Sequence, residues 1–316
     1  MRRAVIVLGL LPAFVAPAGA EPIAAPGYRV EALEHDLILP SGAARDRDAL
    51  ILTDLLTGKV VRRRPEGTSE VLHEGLPVGK DVMDQPTGPY KVQVLDGRIF
   101  VAQGWQDVNR HEGPLDHAIL EIAPGQPPRV VGNDFWNPYD FEWDGRAWYV
   151  ADAARNTLMR LNLSGQAVEV FAFPRLRRRR DALRALSPTE FQGAEVYELD
   201  AVPSGVAVAG ARVFVALFGG FPFLDGGGLV VSLPKTGGVD RARIEVKGLN
   251  APTDIAFDRT GNLLVLEIGR YALGKGFLPG SGRLLEGDLE DGRRQALMTG
   301  LPRPVRVVTD ADGALV

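Results

Sequence analysis

The stretch Pro138-Tyr-Asp-Phe-Glu-Trp-Asp-Gly-Arg-Ala-Trp-Tyr-Val-Ala-Asp152 decides the fold of this 316-residue chain. Apolar and polar residues alternate up to Trp143, Asp144-Gly145 follows, and an apolar run then continues to Asp152. Alternation on either side of an Asp-Gly pair predicts two antiparallel strands joined by a turn. Two further alternating segments, 157–163 and 167–173, follow across a second glycine turn. This part of the chain is therefore predicted to form four antiparallel strands.

The same pattern recurs along the chain. A proline opens a short apolar strand six times, at Pro40, Pro86, Pro138, Pro203, Pro252 and Pro304. A second apolar strand ends 14 to 17 residues after each of the first five prolines, at Asp54, Gln103, Asp152, Leu217 and Glu267. Four-stranded units that repeat every 46 to 65 residues are typical of propeller blades. We therefore predict an all-β fold, a six-bladed β-propeller of four-stranded antiparallel blades.

The two chain ends are predicted to meet in the last blade. Residues 28–34 alternate like the outer strand of a blade, although no blade precedes them. An N-terminal strand that pairs with the last blade would close the ring and cover its open edges. The sixth unit reaches Val316 before its third strand, so we expect an incomplete last blade and favour a truncated sequence.

The N-terminal residues predict export. Arg2 and Arg3 precede an apolar run, Ala4–Val15, and the small residues Ala18-Gly19-Ala20 follow it. Residues 1–20 are thus predicted to be a signal peptide, which leaves residues 21–316 as a single propeller domain in a secreted or periplasmic protein.

Composition narrows the possible partners. The chain has no cysteine, so neither a disulfide nor a thiolate metal site is available. Its 40 acidic residues exceed its 36 basic ones, which argues against a nucleic-acid partner. No later apolar segment is long enough to span a membrane. We expect a monomer that binds a small molecule or a protein.

Several motifs resemble a known family. They are Asn137-Pro-Tyr-Asp, Val150-Ala-Asp-Ala, Val202-Pro-Ser-Gly-Val-Ala-Val208, Gly219-Gly-Phe-Pro-Phe223 and the segment 253–267. Together they resemble the ScyD/ScyE family of secreted bacterial proteins, relatives of the NHL-repeat propellers. The resemblance implies a six-bladed propeller and export. It implies no established catalytic residues.

The predicted topology places the binding surface on one face. In an antiparallel blade the start of the first strand and the end of the second lie at the same end. The three longest insertions leave that end, at residues 103–117, 217–228 and 267–282. Long insertions on one face of a repeat scaffold are the usual place for binding. Phe221, Phe223 and Tyr271 lie in these glycine-containing loops, so we predict that they anchor a ligand or partner.

Acidic and amide residues form a second group of candidates on the same face: Asn137, Asp140, Asp152, Asn156, Asn250, Asp254 and Glu267. Oxygen ligands of this kind suit Ca²⁺ or Mg²⁺, or hydrogen bonding to a sugar. For a cation such as Ca²⁺, Asp140, Asp152, Asp254 and Glu267 are the candidate metal ligands. The alternative is that these side chains shape turns and cap strand ends. No contiguous calcium-loop motif is present.

Two enzyme classes remain open as alternatives. A metal-dependent lactonase of the propeller type would need ligands beside the loop prolines, where the chain has Ser41, Tyr139 and Thr253. Only Asp140 and Asp254, one position further on, could substitute.

A quinone-dependent sugar dehydrogenase would need a base and cations. The candidates for these are His111, His117, Arg110, Arg270, Lys275 and Arg306. A base with a perturbed pKa in the channel would favour an enzyme, whereas aromatic loops without such a base would favour a binding protein.

The interval between the third and fourth prolines contains the basic run Arg175-Leu-Arg-Arg-Arg-Arg180, followed by residues 181–186, which are predicted to form a helical turn. We interpret the basic run as a solvated loop, since charge runs are usually hydrated.

Overall fold

The computed structural model describes residues 2–6, 21–32, 36–81, 84–105, 113–179, 196–236, 241–289 and 292–309. These residues form five consecutive four-stranded antiparallel sheets, which we call blades one to five. The first strands of successive blades pack against one another, so they surround the central axis of the propeller. Among the described residues the structure has no helix of membrane-spanning length and apolarity.

The strands of each blade follow one another in the chain. Blade one consists of Pro40–Asp46, Ala49–Asp54, Lys59–Arg63 and Ser69–His73. Blade two consists of Pro89–Leu95, Arg98–Gln103, Ala118–Ile122 and Arg129–Gly132. Blade three consists of Pro138–Trp143, Trp148–Asp152, Thr157–Leu161 and Ala167–Ala172. Blade four consists of Pro203–Ala209, Arg212–Leu217, Gly228–Pro234 and Arg243–Leu249. Blade five consists of Pro252–Phe257, Leu263–Glu267, Gly282–Gly287 and Arg294–Leu301.

The hydrophobic core lies between blades. Successive side chains of a strand point to opposite faces, so each blade offers one apolar face to the blade before it and one to the blade after it. Phe100 of blade two packs on Trp148 of blade three with ring centroids 5.0 Å apart, and Phe141 adds a contact at 5.1 Å. Similar buried clusters join blades one and two, blades three and four, and blades four and five.

The structure confirms the propeller of four-stranded antiparallel blades, but the predicted number of six blades is wrong: the described residues form five. The strands of blade three and the ends of all five second strands lie within two residues of their predicted positions. After Leu301 the chain does not build a sixth sheet over residues 302–309 but runs to the axis, where Arg306 and Val307 contact other blades. Residues 310–316, on which the predicted incomplete blade also rests, lie outside the described part.

The N-terminal segment differs from the prediction. Ile23–Ala24 pairs with the outer strand Arg294–Leu301 and gives blade five a fifth strand. The predicted closing strand, observed as Tyr28–Ala32, instead pairs in parallel with Arg2–Ile6. Residues 1 and 7–20 of the predicted signal peptide lie outside the described part, so the signal peptide stays a prediction.

Blade two corrects the choice of repeat proline. Pro89 pairs with Gln103, just as Pro40 pairs with Asp54 and Pro138 with Asp152. Pro86, which the sequence analysis chose, belongs to the short strand Pro86–Thr87, paired with Gly79–Lys80. The repeat intervals from Pro40 to Pro138 therefore become 49 and 49 residues.

Two more short hairpins lie on the loop-rich face. Tyr271–Ala272 pairs with Gly276–Phe277 in the insertion of blade five. Leu176–Arg179 pairs with Val196–Leu199 between blades three and four, so this part of the basic run is a strand rather than a loop, although the Arg175 and Arg177 side chains are exposed as expected. The predicted helical turn at residues 181–186 lies outside the described part.

Candidate functional site

Four charged side chains meet on the propeller axis. The second residue after the first-strand proline is Gly42, Lys91, Asp140, Gly205 and Asp254 in blades one to five, and Arg306 has the same place after Pro304. The two cations and two carboxylates come from blades two, three and five and from the segment after blade five. We call Lys91, Asp140, Asp254 and Arg306 the axial cluster.

Lys91 lies between the two carboxylates. Its Nζ is 3.1 Å from Asp140 Oδ1 and 3.4 Å from Asp254 Oδ1. All three side chains are buried. Burial acts to lower the pKa of Lys91, but Asp140 and Asp254 outweigh that effect and the pKa is raised. The ammonium is therefore held in its charged form between two blades that are not neighbours.

Arg306 ties the segment after blade five to the first three blades. Its Nε donates to Ser41 O at 3.1 Å and to Tyr90 O at 3.2 Å, and its Nη2 donates to Tyr139 O at 2.8 Å. Its guanidinium lies over the Tyr139 ring, 4.8 Å from the centroid. Nη1 is 3.7 Å from Asp140 Oδ2 and 3.8 Å from Asp254 Oδ1. The Arg306 side chain thus contacts residues of blades one, two, three and five.

Each axial carboxylate also holds the next unit by its backbone. Val206 N donates to Asp140 Oδ2 at 2.9 Å, and Val307 N donates to Asp254 Oδ2 at 2.9 Å. Burial raises the pKa of Asp254, and Lys91 opposes that rise. The axial aspartates are therefore joined to cations on one side and to neighbouring backbone on the other.

A third carboxyl group lies one layer further along the axis. Glu142 is half-buried, and Gln93 Nε2 donates to its Oε2. Burial raises the pKa of Glu142 to about 7, with Lys91 opposing the rise. Glu142 therefore changes charge near neutral pH, as a general acid or base does.

The candidate metal ligands divide into two pairs with different roles. Asp140 and Asp254 share the ammonium of Lys91, which takes the place between them that a metal ion would need. Asp152 accepts from Trp136 N and Asn137 N, both at 2.8 Å. Glu267 accepts from Asn250 N at 2.8 Å and from Arg283 Nη2 at 2.6 Å. Across the described ranges no three acidic or histidine side chains have metal-binding geometry.

The amide candidates lie beside these strand ends. Asn250 Oδ1 accepts from Gly226 N at 2.8 Å and so supports the insertion of blade four. Asn156 Oδ1 accepts from Val202 N at 2.8 Å. Asn137 Oδ1 is buried and has no hydrogen-bond partner in the described part of the chain. Asn156 and Asn250 thus position loops.

The predicted aromatic anchors meet on the loop-rich face. Five rings from the insertions of blades four and five contact one another, and we call them the rim cluster: Phe218, Phe221, Phe223, Tyr271 and Phe277. The Phe223 ring is 5.0 Å from Tyr271 and 5.3 Å from Phe277. All five side chains are half-buried, so each offers part of its ring to solvent.

The backbone of these loops is held in place. Arg270 Nε donates to Asp225 Oδ2 at 2.7 Å and joins the two insertions. Arg178 Nη2 donates to Gly227 O at 2.7 Å and joins the basic hairpin to the same loop. Phe223 has φ of +54°, a conformation that costs free energy for a residue other than glycine. The loops that carry the rim cluster are therefore held to each other and to the basic hairpin by hydrogen bonds.

The residues of the dehydrogenase hypothesis are dispersed. Arg270 pairs with Asp225 on the rim, whereas Arg306 is buried on the axis. His117 Nδ1 hydrogen-bonds to Trp136 O, and its ring lies 6.1 Å from that of Trp105. Arg110 and His111 lie outside the described part. Among the described residues, the histidine and the arginines named for this hypothesis thus do not come together as a base and cation pair.

Lys91, Gln93 and Glu142 were not among the residues predicted from the sequence. With Pro86 taken as the repeat proline, blade two was shifted by three residues, so the equivalence of Lys91 to Asp140 and Asp254 was not visible. Pro89 would have placed Lys91 on the axis and Gln93 level with Glu142.

The chain is similar in fold to solved propellers. No family model matches the chain, and no curated protein matches it. A gluconolactonase from Xanthomonas campestris superposes with a TM-score of 0.56 at 14% identity, covering 87% of this chain and 80% of that one. A streptogramin B lyase gives 0.53 at 12% identity, covering 87% and 89%. A chain of the nidogen/laminin complex gives 0.53 at 14%, covering 83% and 80%. At these identities the likeness shows the β-propeller fold alone.

Proposed function

We propose that this propeller is a binding protein that takes a small-molecule ligand or a protein partner on its loop-rich face, through the rim cluster. The observation that carries the proposal is the convergence of five half-buried aromatic rings from two insertions. Aromatic side chains give a large contact area at a low entropic cost and often dominate binding energy. Leu273, 42% exposed, extends the apolar surface.

The axis supports a binding protein more than a metal-dependent lactonase. Asp140 and Asp254 are neutralised by Lys91 and Arg306, so they bind an internal cation. Asp152 and Glu267 accept backbone hydrogen bonds at strand ends. The lactonase and dehydrogenase alternatives thus gain no better support than binding does.

Export and family membership belong to the same proposal. The motifs that resemble the ScyD/ScyE family include Gly219-Gly-Phe-Pro-Phe223, which supplies two rings of the rim cluster. A protein of that family would be secreted or periplasmic, and we propose this location together with a monomeric state.

Point variants of the rim cluster test the proposal. Ligands would be found by thermal-shift screening of an oligosaccharide and metabolite library and by capture from a native extract. We expect Phe221→Ala and Tyr271→Ala each to weaken capture about tenfold or more while the variants stay folded, because truncating an aromatic anchor costs about 2 kcal/mol or more. Leu163→Ala is the matched control, since Leu163 is 75% exposed in the turn between the third and fourth strands of blade three. Equal capture by the wild type and both rim variants would refute the proposal.

A further inference from the structure

Within the described residues Glu142 forms no ion pair of its own, because the nearby ammonium of Lys91 is paired with Asp140 and Asp254. The axial cluster contains two cations and two carboxylates, and their charges balance. Glu142 adds a third negative charge when it is ionised. Its hydrogen-bond partner within the described residues is Gln93, a neutral amide. An ionised Glu142 therefore leaves one uncompensated negative charge beside the axis, in a place where charge is costly to bury.

Glu142 and Gln93 are the two polar side chains at their position in the first strands of the five blades. The strand register makes Ala44, Gln93, Glu142, Ala207 and Ala256 equivalent in blades one to five. Three of the five first strands thus carry only a methyl group at this level. Glu142 and Gln93 both remain half-buried, so solvent reaches them.

The chemistry of this pair selects a donor-rich cation. Gln93 Nε2 is used on Glu142 Oε2, which leaves the Gln93 amide oxygen and Glu142 Oε1 as acceptors. Lys91 above them is directed to Asp140 and Asp254. An organic ammonium has one positive charge and several N–H donors, which match one negative charge and two acceptor oxygens.

We propose that the Glu142–Gln93 pair is a second binding site, on the propeller axis, for a small primary ammonium ligand. The site is separate from the rim cluster and goes beyond the function proposed for it. The ammonium group forms an ion pair with the Glu142 carboxylate and donates a hydrogen bond to Gln93 Oε1.

Proton linkage gives this site a characteristic pH dependence. Because burial raises the pKa of Glu142 to about 7, the empty site holds a proton at lower pH. The ammonium needs the ionised carboxylate, so binding releases that proton. The affinity is expected to fall about tenfold for each pH unit below about 7.

The site can be tested with methylammonium as the probe. Binding to the intact protein would be followed by NMR chemical-shift titration at about pH 8 and about pH 6, that is, above and below the Glu142 pKa of about 7. Glu142→Gln keeps the shape of the side chain and removes its charge. Glu286→Gln is the matched control, because Glu286 also accepts from an amide, Gln295 Nε2 at 2.5 Å, but lies in the third strand of blade five.

We expect the wild type and Glu286→Gln to bind methylammonium at the higher pH and about tenfold or more weakly at the lower pH. Glu142→Gln is expected to lose binding at both. Gln93→Met, which keeps the carboxylate, is expected to weaken binding and serves as the second variant if Glu142→Gln does not fold. Unchanged binding by Glu142→Gln or Gln93→Met, or no saturable binding to the wild type at the higher pH, would overturn the proposal.

Discussion

Lys91 is a cation that neutralises the two axial aspartates, Asp140 and Asp254. Its ammonium is shared by two buried carboxylates that come from different blades, at 3.1 and 3.4 Å. Breaking a buried ion pair by removing one partner costs far more than the pair itself contributes, because the other charge stays buried. Removal of the Lys91 ammonium is therefore expected to destabilise the protein mainly because two buried carboxylates lose their counter-charge.

We predict that Lys91→Met lowers the free energy of unfolding by about 3–5 kcal/mol, because it leaves the buried carboxylates of Asp140 and Asp254 without a full counter-charge. Urea denaturation at neutral pH measures the change. Lys80→Met is the control, since Lys80 pairs with Asp84 at 2.8 Å on an exposed surface and should change stability by less than about 1 kcal/mol. Similar losses in the two variants would mean that the axial pair is no stronger than a surface pair.

Glu142 gives stability a distinct pH dependence. Its pKa is raised from 4.5 to about 7 in the folded protein, so its contribution is fully present at low pH and is lost as pH rises between these values. We predict that Glu142→Gln matches the wild type near the lower value and exceeds it by about 1–2 kcal/mol above the upper one, after allowance for solvent that reaches the side chain. Denaturant titrations across this window measure the difference. A variant that is less stable than the wild type above the window would contradict the assignment.

Only part of this residue-scale chemistry could be predicted. Asp140 and Asp254 follow loop prolines by two residues, and that spacing placed both of them among the candidates. Their cations could not be paired with them, because the predicted blade two began at Pro86 and Arg306 was assigned to a sixth blade. Charge partners on an axis come from distant repeats, here residues 91, 140, 254 and 306, and only the register of every blade brings them together.

Among the elements, the first strands carry most of the contacts that join the blades. Ser41 Oγ donates to Pro89 O at 2.5 Å and Ser204 Oγ to Pro252 O at 2.6 Å. In each case the residue after a loop proline donates to the next loop proline. Gly42 and Gly205 follow these serines, at positions where a side chain would meet the backbone of the next blade.

We predict that Gly205→Ala destabilises the protein by about 1–3 kcal/mol or more, because overpacking forces backbone to move. An added Cβ would lie 2.9 Å from Asp254 Cα and 3.0 Å from Ile255 N. Gly287→Ala is the control, since its Cβ would meet its nearest neighbour, Arg294 Cγ, at 3.6 Å. Thermal denaturation of both variants tests the close approach, and a Gly205→Ala protein as stable as the control would contradict it.

The elements themselves were the easiest part to predict. Asp-Gly turns and alternating apolar residues give the hairpins a local cause, and the second strands accordingly end where expected, at Asp54, Asp152 and Glu267. The N-terminal segment was harder, since alternation alone does not specify a partner. Tyr28–Ala32 has the pattern of an outer strand but pairs with Arg2–Ile6.

At the scale of the whole molecule, the charged axis and the loop-rich face have different roles. The axial cluster joins blades two, three and five to the segment after blade five by buried charge. The rim cluster presents aromatic rings from blades four and five to solvent. The number of blades could not be predicted from prolines alone, because Pro304 continues the spacing while the residues after it supply Arg306 to the axis instead of a sheet.

Binding of the native ligand at the rim of blades four and five can be measured by hydrogen–deuterium exchange. The wild-type protein would be compared with and without a ligand captured from a native extract. We predict that the ligand slows exchange in the insertions at residues 217–228 and 267–282, whose rings form the rim cluster. Protection confined to the first strands Pro89–Leu95 and Pro138–Trp143, with no change in those insertions, would contradict the account.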